Sequence, residues 1–233
     1  MDSIRAHLKQ VQERIRLAAG SAGRPAAEIA LLAVSKTRPV SDISEALEAG
    51  QDAFGENYLQ EALPKINELR GTAAQWHFIG RIQSNKTRPI AENFDWVHSL
   101  DDVRHAQRLN DQRPEGLPPL NICLQVNVDI EQTKGGFLPD QVESAIKAIG
   151  KMPRLKLRGL MAIPAPADDF QAQREPFRRL REIRDRLATP ELPLETLSMG
   201  MSDDIEAAIA EGATIVRVGT AIFGPRNPVV QAH

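Results

Sequence analysis

The sequence predicts an α/β protein: a single (β/α)8 TIM barrel with an extra N-terminal helix. Three observations carry that prediction. Short apolar runs alternate with amphipathic stretches eight times along the chain, the connections between them are brief, and no Gly-x-Gly-x-x-Gly turn follows the first apolar run as an open dinucleotide-binding sheet would require. A length of 233 residues fits eight such units around one core, so residues 1–233 are read as one domain. An open doubly wound sheet is the alternative, because periodicity does not establish closure.

Residues 3–19 place Ile4, Leu8, Val11, Ile15 and Leu17 among polar residues at close to a 3.6-residue period, an amphipathic helix expected to end at Gly20. The run 30–36 is the first strand, and Pro39 with Ser41 opens a helix that closes at Gly50. A strand at 52–55, a helix at 57–69 and a strand at 76–80 follow. Residues 84–91 read as a brief helix broken by Pro89, before a strand at 94–99 and a helix at 101–110. After the loop marked by Pro114, Pro118 and Pro119 come a strand at 121–128 and a helix at 139–149. The remaining units are strand 156–163 with the charged helix 170–187, strand 194–199 with helix 203–211, and strand 214–218. Arg217 is out of place in that last apolar strand.

Composition narrows the function. A net charge of -2 with both signs interspersed lacks the clustered basic face that phosphate backbones or anionic membranes need, which argues against nucleic-acid and membrane partners. The run Arg178 to Arg186 is interrupted by Glu182 and Asp185 and reads as a solvated helix face. A lone Cys123 inside an apolar run excludes a disulfide framework and a cysteine-rich metal site; it reads as a small buried hydrophobe in a reducing, cytoplasmic compartment. The polar start of the chain has no signal-peptide core, and no segment is long enough to span a bilayer. No exposed apolar stripe demands a dimer, so a monomer is expected.

In a closed barrel every strand end faces one mouth. That mouth collects Lys36, Gly55-Glu56-Asn57, Ile79-Gly80, Asn127, Met161, Gly200-Met201-Ser202 and Gly219-Thr220. Loops after the seventh and eighth strands often bind phosphate, where helix starts supply unpaired amides. Ser202 as a helix cap and Gly219 as a tight turn are the plain alternatives, and Asp203 with Asp204 counts against an anion unless those carboxylates face solvent. Arg217 is either an interior ion pair with Glu195 or Glu206, or a cation facing the mouth. An amine, a phosphate corner and an arginine between them describe the needs of pyridoxal 5'-phosphate.

The segments Ser35-Lys36, Phe54-Gly55-Glu56-Asn57-Tyr58, Trp76 through Lys86, Gly200-Met201-Ser202 and Arg217 through Gly224 together resemble the YggS/PROSC family of pyridoxal phosphate homeostasis proteins. The resemblance runs from the first strand to the last. It implies a barrel similar to the N-terminal domain of alanine racemase, with the cofactor held as an internal aldimine on Lys36. It further implies Ser202, Gly219 and Thr220 with nearby backbone amides at the phosphate, Arg217 at the pyridine nitrogen, and Met201 among the cofactor-binding residues. Asn57, His77 and Met161 are candidates for the wall around the ring, with a packed strand histidine the alternative for His77; His98 and His105 are read as structural.

The implied function is binding and buffering of the cofactor in vitamin B6 homeostasis, with dependent apo-enzymes as recipients and no established reaction. The residues agree with it. A protonated arginine against the ring nitrogen disfavours protonation of the pyridine and weakens it as an electron sink. Racemisation also needs a second acid/base opposite the first, and the chain's only tyrosine is Tyr58 at the start of a helix. A racemase-like enzyme is the alternative; a barrel binding another phosphorylated metabolite without covalent chemistry is the third reading.

Overall fold

The structure, a computed structural model, describes residues 3–131 and 133–225. Helix α1 spans Ile4–Ser21 and is capped by Ser3, whose hydroxyl accepts from the Ala6 amide at 3.2 Å. Its buried stripe is Leu8, Val11, Ile15, Ala18 and Ala19; each of the three larger side chains contributes about 1.5–3 kcal/mol by leaving water. Gly20 does not end the helix as expected. The Ala22 amide still reaches the Ala18 carbonyl at 3.0 Å, and the left-handed turn falls on Gly23 at φ 66°.

The strands and helices then alternate. They are β1 (Ala30–Val34), α2 (Val40–Glu48), β2 (Ala53–Glu56), α3 (Leu59–Glu68), β3 (Gln75–Phe78), α4 (Thr87–Asn93), β4 (Trp96–Leu100) and α5 (Val103–Gln112). The second half holds β5 (Leu120–Gln125), α6 (Val142–Ile149), β6 (Leu155–Met161), α7 (Phe170–Leu187), β7 (Thr196–Ser198), α8 (Ile205–Ala210), β8 (Ile215–Val218) and α9 (Thr220–Phe223). Pro89 does not break its helix. It lies in the first turn of α4, where a missing amide costs nothing, and a 3-10 turn over Ser84–Lys86 leads in. Residues 139–141 form a turn, so α6 begins later than Pro139 suggests.

All neighbouring strands pair in parallel and the sheet closes. Closure is made by β1 against β8, with Ala30 opposite Ile215 through Ala33 opposite Val218. That register decides between the barrel and the open sheet. Helix α1 packs on α2, α8 and α9, which brings the N-terminal segment beside the loops that follow β7 and β8. Cys123 is fully buried in β5 and burial pushes its thiol pKa up, so it packs as a hydrophobe. Among the described residues no helix is long and apolar enough to cross a membrane.

Candidate functional site

A cavity of about 680 Å³ opens at the C-terminal ends of the strands, a size that admits a small ring with its substituents. Lys36, Asn57, Met161, Met201, Ser202, Arg217, Gly219 and Thr220 all line it. These come from the ends of β1, β2, β6, β7 and β8, and their meeting follows from barrel closure. His77 does not line it; the ring is buried in β3 and stacks on Trp96 with planes 4° apart.

Lys36 stands just past β1, and the chain around it is held on both sides. The Ser35 carbonyl accepts from Lys65 Nζ at 2.9 Å and the Ser35 hydroxyl donates to Glu56 Oε1 at 2.6 Å. Lys65 and Glu56 form a buried ion pair at 2.8 Å. Successive strand residues point to opposite faces, and Glu56, at the last position of β2, turns to meet Lys65 on α3 rather than joining the mouth. Burial pushes the Glu56 carboxyl pKa up, opposed by Lys65 and the Ser35 hydroxyl. Removing either partner would leave a buried charge at a cost of about 3–5 kcal/mol. Thr37 adopts φ 63°, a costly conformation for a β-branched residue, and its amide donates to Glu61 Oε2 at 2.8 Å. Helix α3 thereby fixes the turn that carries Lys36.

Arg217 is buried and pairs with neither Glu195 nor Glu206. Those carboxylates are taken by Arg158 at 2.7 Å and Arg14 at 2.5 Å. Arg217 instead donates to the Ser198 carbonyl at 2.6 Å, the Ser198 hydroxyl at 2.9 Å and the Ala162 carbonyl at 3.0 Å. Burial pushes its pKa down to about 10, with Asp204 opposing, so the guanidinium stays charged near neutrality. Ser198 also meets His98 Nδ1 at 2.7 Å, and His98 Nε2 meets His77 Nδ1 at 2.9 Å. Because β4 and β7 are not neighbours, this chain crosses the barrel interior. With Arg217 donating to Ser198, the hydroxyl proton goes to His98 and the His98 proton to His77, which leaves His77 Nε2 as the buried atom without a partner. Burial holds His77 at about 3 and pushes His98 well below its ordinary range, so both rings are neutral.

The loop after β7 turns at Gly200, φ 96°, where an added Cβ would come within 2.6 Å of the Ala208 Cβ. Asp204 does not face solvent as an anion site would prefer. Its Oδ1 accepts from the Met201 amide at 2.6 Å, and burial raises its pKa. Asp203 is exposed on the cavity wall. Arg14, reached from α1, is the cavity residue that sequence reasoning missed. It grips both Glu206 oxygens at 2.5 and 2.6 Å and donates to the Ser202 carbonyl at 2.5 Å. Its position one turn from Val11 and Ala18, at the edge of the buried stripe, is the signal that could have placed it.

Residues 6–227 match the family model for the alanine racemase N-terminal domain. A Pseudomonas aeruginosa relative named pyridoxal phosphate homeostasis protein is 57% identical over 227 residues, covering 97% of each chain. The chain belongs to the pyridoxal phosphate homeostasis protein family. Another member, from Escherichia coli, is 51% identical over 230 residues, covering 97% of this chain and 98% of its own. Among solved structures, PipY of Synechococcus elongatus with PLP bound superposes at a TM-score of 0.81 with 35% identity, covering 95% of this chain and 100% of its own. Alanine racemase of Clostridium difficile shares the fold at a TM-score of 0.72 with 15% identity, and the match covers 87% of this chain and 56% of the racemase.

Proposed function

We propose that this member of the family holds pyridoxal 5'-phosphate on Lys36 in the barrel mouth and takes part in vitamin B6 homeostasis. In this reading it is a one-domain cytoplasmic monomer that passes the cofactor to dependent apo-enzymes. The observation that carries it is the meeting of Lys36, Arg217, Ser202, Gly219 and Thr220 on one cavity wall. Asn57 adds to the fit, since its Oδ1 is buried without a partner and suits a hydroxyl or N–H on the ring. The cofactor would supply an aldehyde for the Lys36 amine, the carbonyl oxygen leaving as water, and release would be the hydrolysis that returns the water and frees the amine.

The chain's residues do the rest. Arg217 donates toward the ring nitrogen and stays protonated, which keeps the ring a poor electron sink. Ser202 and Thr220 offer hydroxyls, and Gly219 a close backbone, to the phosphate. Tyr58 lines a neighbouring pocket rather than this cavity, so it does not supply the second acid/base that racemisation needs. The test is absorbance of the full chain titrated with the cofactor, followed by transfer to an apo-enzyme whose recovered activity is read. The wild-type chain should gain the lysine-bound band and restore the apo-enzyme, and Lys36→Ala should do neither. A full band in Lys36→Ala would overturn the reading.

A further inference from the structure

We infer that a second pocket, beside the cofactor mouth, is a site for the phosphate group of a small phosphorylated ligand. The pocket has a volume of about 310 Å³ and lies between the start of α3 and the segment after β3. It takes up the part of the Gly80-to-Lys86 segment that the cofactor site leaves unused. Its charged lining residues are Arg81 and Lys86, with the amides of Gln60 and Gln83 beside them and no carboxylate on the wall.

Neither cation is spent on a protein partner among the described residues. Their neighbours are: Arg88 pairs with Glu92, Arg104 with Asp102, and Arg108 donates to Thr87 Oγ1. The ten-residue helix α3 points its start into the same space, and Tyr58 at its N-cap supplies no side-chain acceptor. Uncapped first-turn amides and two unneutralised cations in one concavity favour a compact dianion.

Two further observations point to a ligand rather than to solvent. Asn57 belongs to the walls of both cavities, and its buried Oδ1 lacks a partner. An amide oxygen accepts two hydrogen bonds, so a ligand here with a hydroxyl or N–H near its phosphate would share this acceptor with the ring in the mouth. The shared wall is also fixed, because a Cβ on Gly80 would fall 2.0 Å from the Asn57 carbonyl oxygen. Tyr58 is 55% exposed at the rim and offers a flat face to a ring.

The pocket therefore deepens the proposed function as a waiting place for a second molecule beside the occupied mouth, and to that extent rests on it. The experiment uses the full chain, isotope-labelled and loaded with cofactor, with loading read by absorbance. Pyridoxine 5'-phosphate, which has no aldehyde, and inorganic phosphate are each titrated in while the amide signals of Leu59, Gln60 and Lys86 are followed. Saturable shifts at these amides are expected. Affinity should fall about tenfold in Arg81→Gln and again in Lys86→Gln, as each removes one charged donor, while the lysine-bound band stays unchanged. Tighter binding of the ester identifies the phosphorylated ring as occupant, and equal binding identifies free phosphate at the same site. No saturable shift with either ligand, or shifts that survive in the double variant, would overturn the inference. Failure to load would count against the mouth reading alone, since the reporters lie on α3 and the segment after β3.

Discussion

Two arginines line the same cavity and are held by opposite means. Arg14, on the N-terminal helix, is partly exposed and spends its charge on both oxygens of Glu206. Arg217, inside the barrel, is buried and among the described residues has only carbonyls and the Ser198 hydroxyl as acceptors. The difference teaches which cation shapes the site and which is available to a ligand. Arg14 ties α1 to the loop after β7 and is electrically balanced there, so its work is mechanical. Arg217 has no carboxylate hydrogen-bonded to it and only the field of Asp204 opposing its charge, so in a low-dielectric wall it keeps a charge for an acceptor on a bound ring.

The largest effect expected from breaking this contrast is at Arg217. Arg217→Met leaves the buried Ala162 carbonyl without its donor and takes from the Ser198 carbonyl its shorter one, leaving the Ala162 amide at 3.3 Å; with about 2 kcal/mol for the first and about 1 kcal/mol for the second, the loss of stability should be about 3 kcal/mol. Urea unfolding measures it, and cofactor affinity should fall in the same variant. A change below about 1 kcal/mol would show that the hydrogen-bond chain is incidental.

Next comes the pair of histidines that continues that chain. Their folded pKa values lie below the unfolded value, so their stabilising contribution is full above about pH 6.5 and is lost as pH falls toward the folded values. Between pH 6.5 and 5 each should withdraw about 2 kcal/mol, seen as a fall in the urea midpoint. Nitrogen spectra of labelled histidine should still show neutral rings for His77 and His98 at pH 5, and charged rings there would contradict the buried chain.

The smallest effect belongs to Arg14. Arg14→Gln removes a bidentate pair that is about a third exposed on the arginine and nearly half on the glutamate. After discounting for solvent, the cost should be about 1 kcal/mol. Glu206, held below the ordinary carboxylate range by that hydrogen bond, should titrate higher in the variant. An effect as large as that of Arg217→Met would erase the distinction between the two arginines.

Much of this was legible in the sequence because it depends on local pattern. Alternating apolar runs gave the eight units, and strand ends at Lys36, Met161 and Gly219 gave the mouth. What could not be read depends on tertiary approach. Arg14 meets Ser202 across 188 positions of chain, and only the packing of α1 on α8 joins them. Glu56 sits beside Asn57 in sequence, yet it turns away to Lys65, and His98, read as structural, proves to be the link between His77 and Ser198 across the barrel. Pro89 and Gly20 look like helix breaks in the sequence because composition shows the residue and not its place in the turn.

Lys36 and Lys65 both lie next to Ser35, and only one of them lines the cavity. Reduction of the cofactor-loaded chain with borohydride, followed by peptide mass mapping, tests the central claim directly. The account predicts one modified lysine, Lys36; modification of Lys65 or of any other lysine in its place would contradict it.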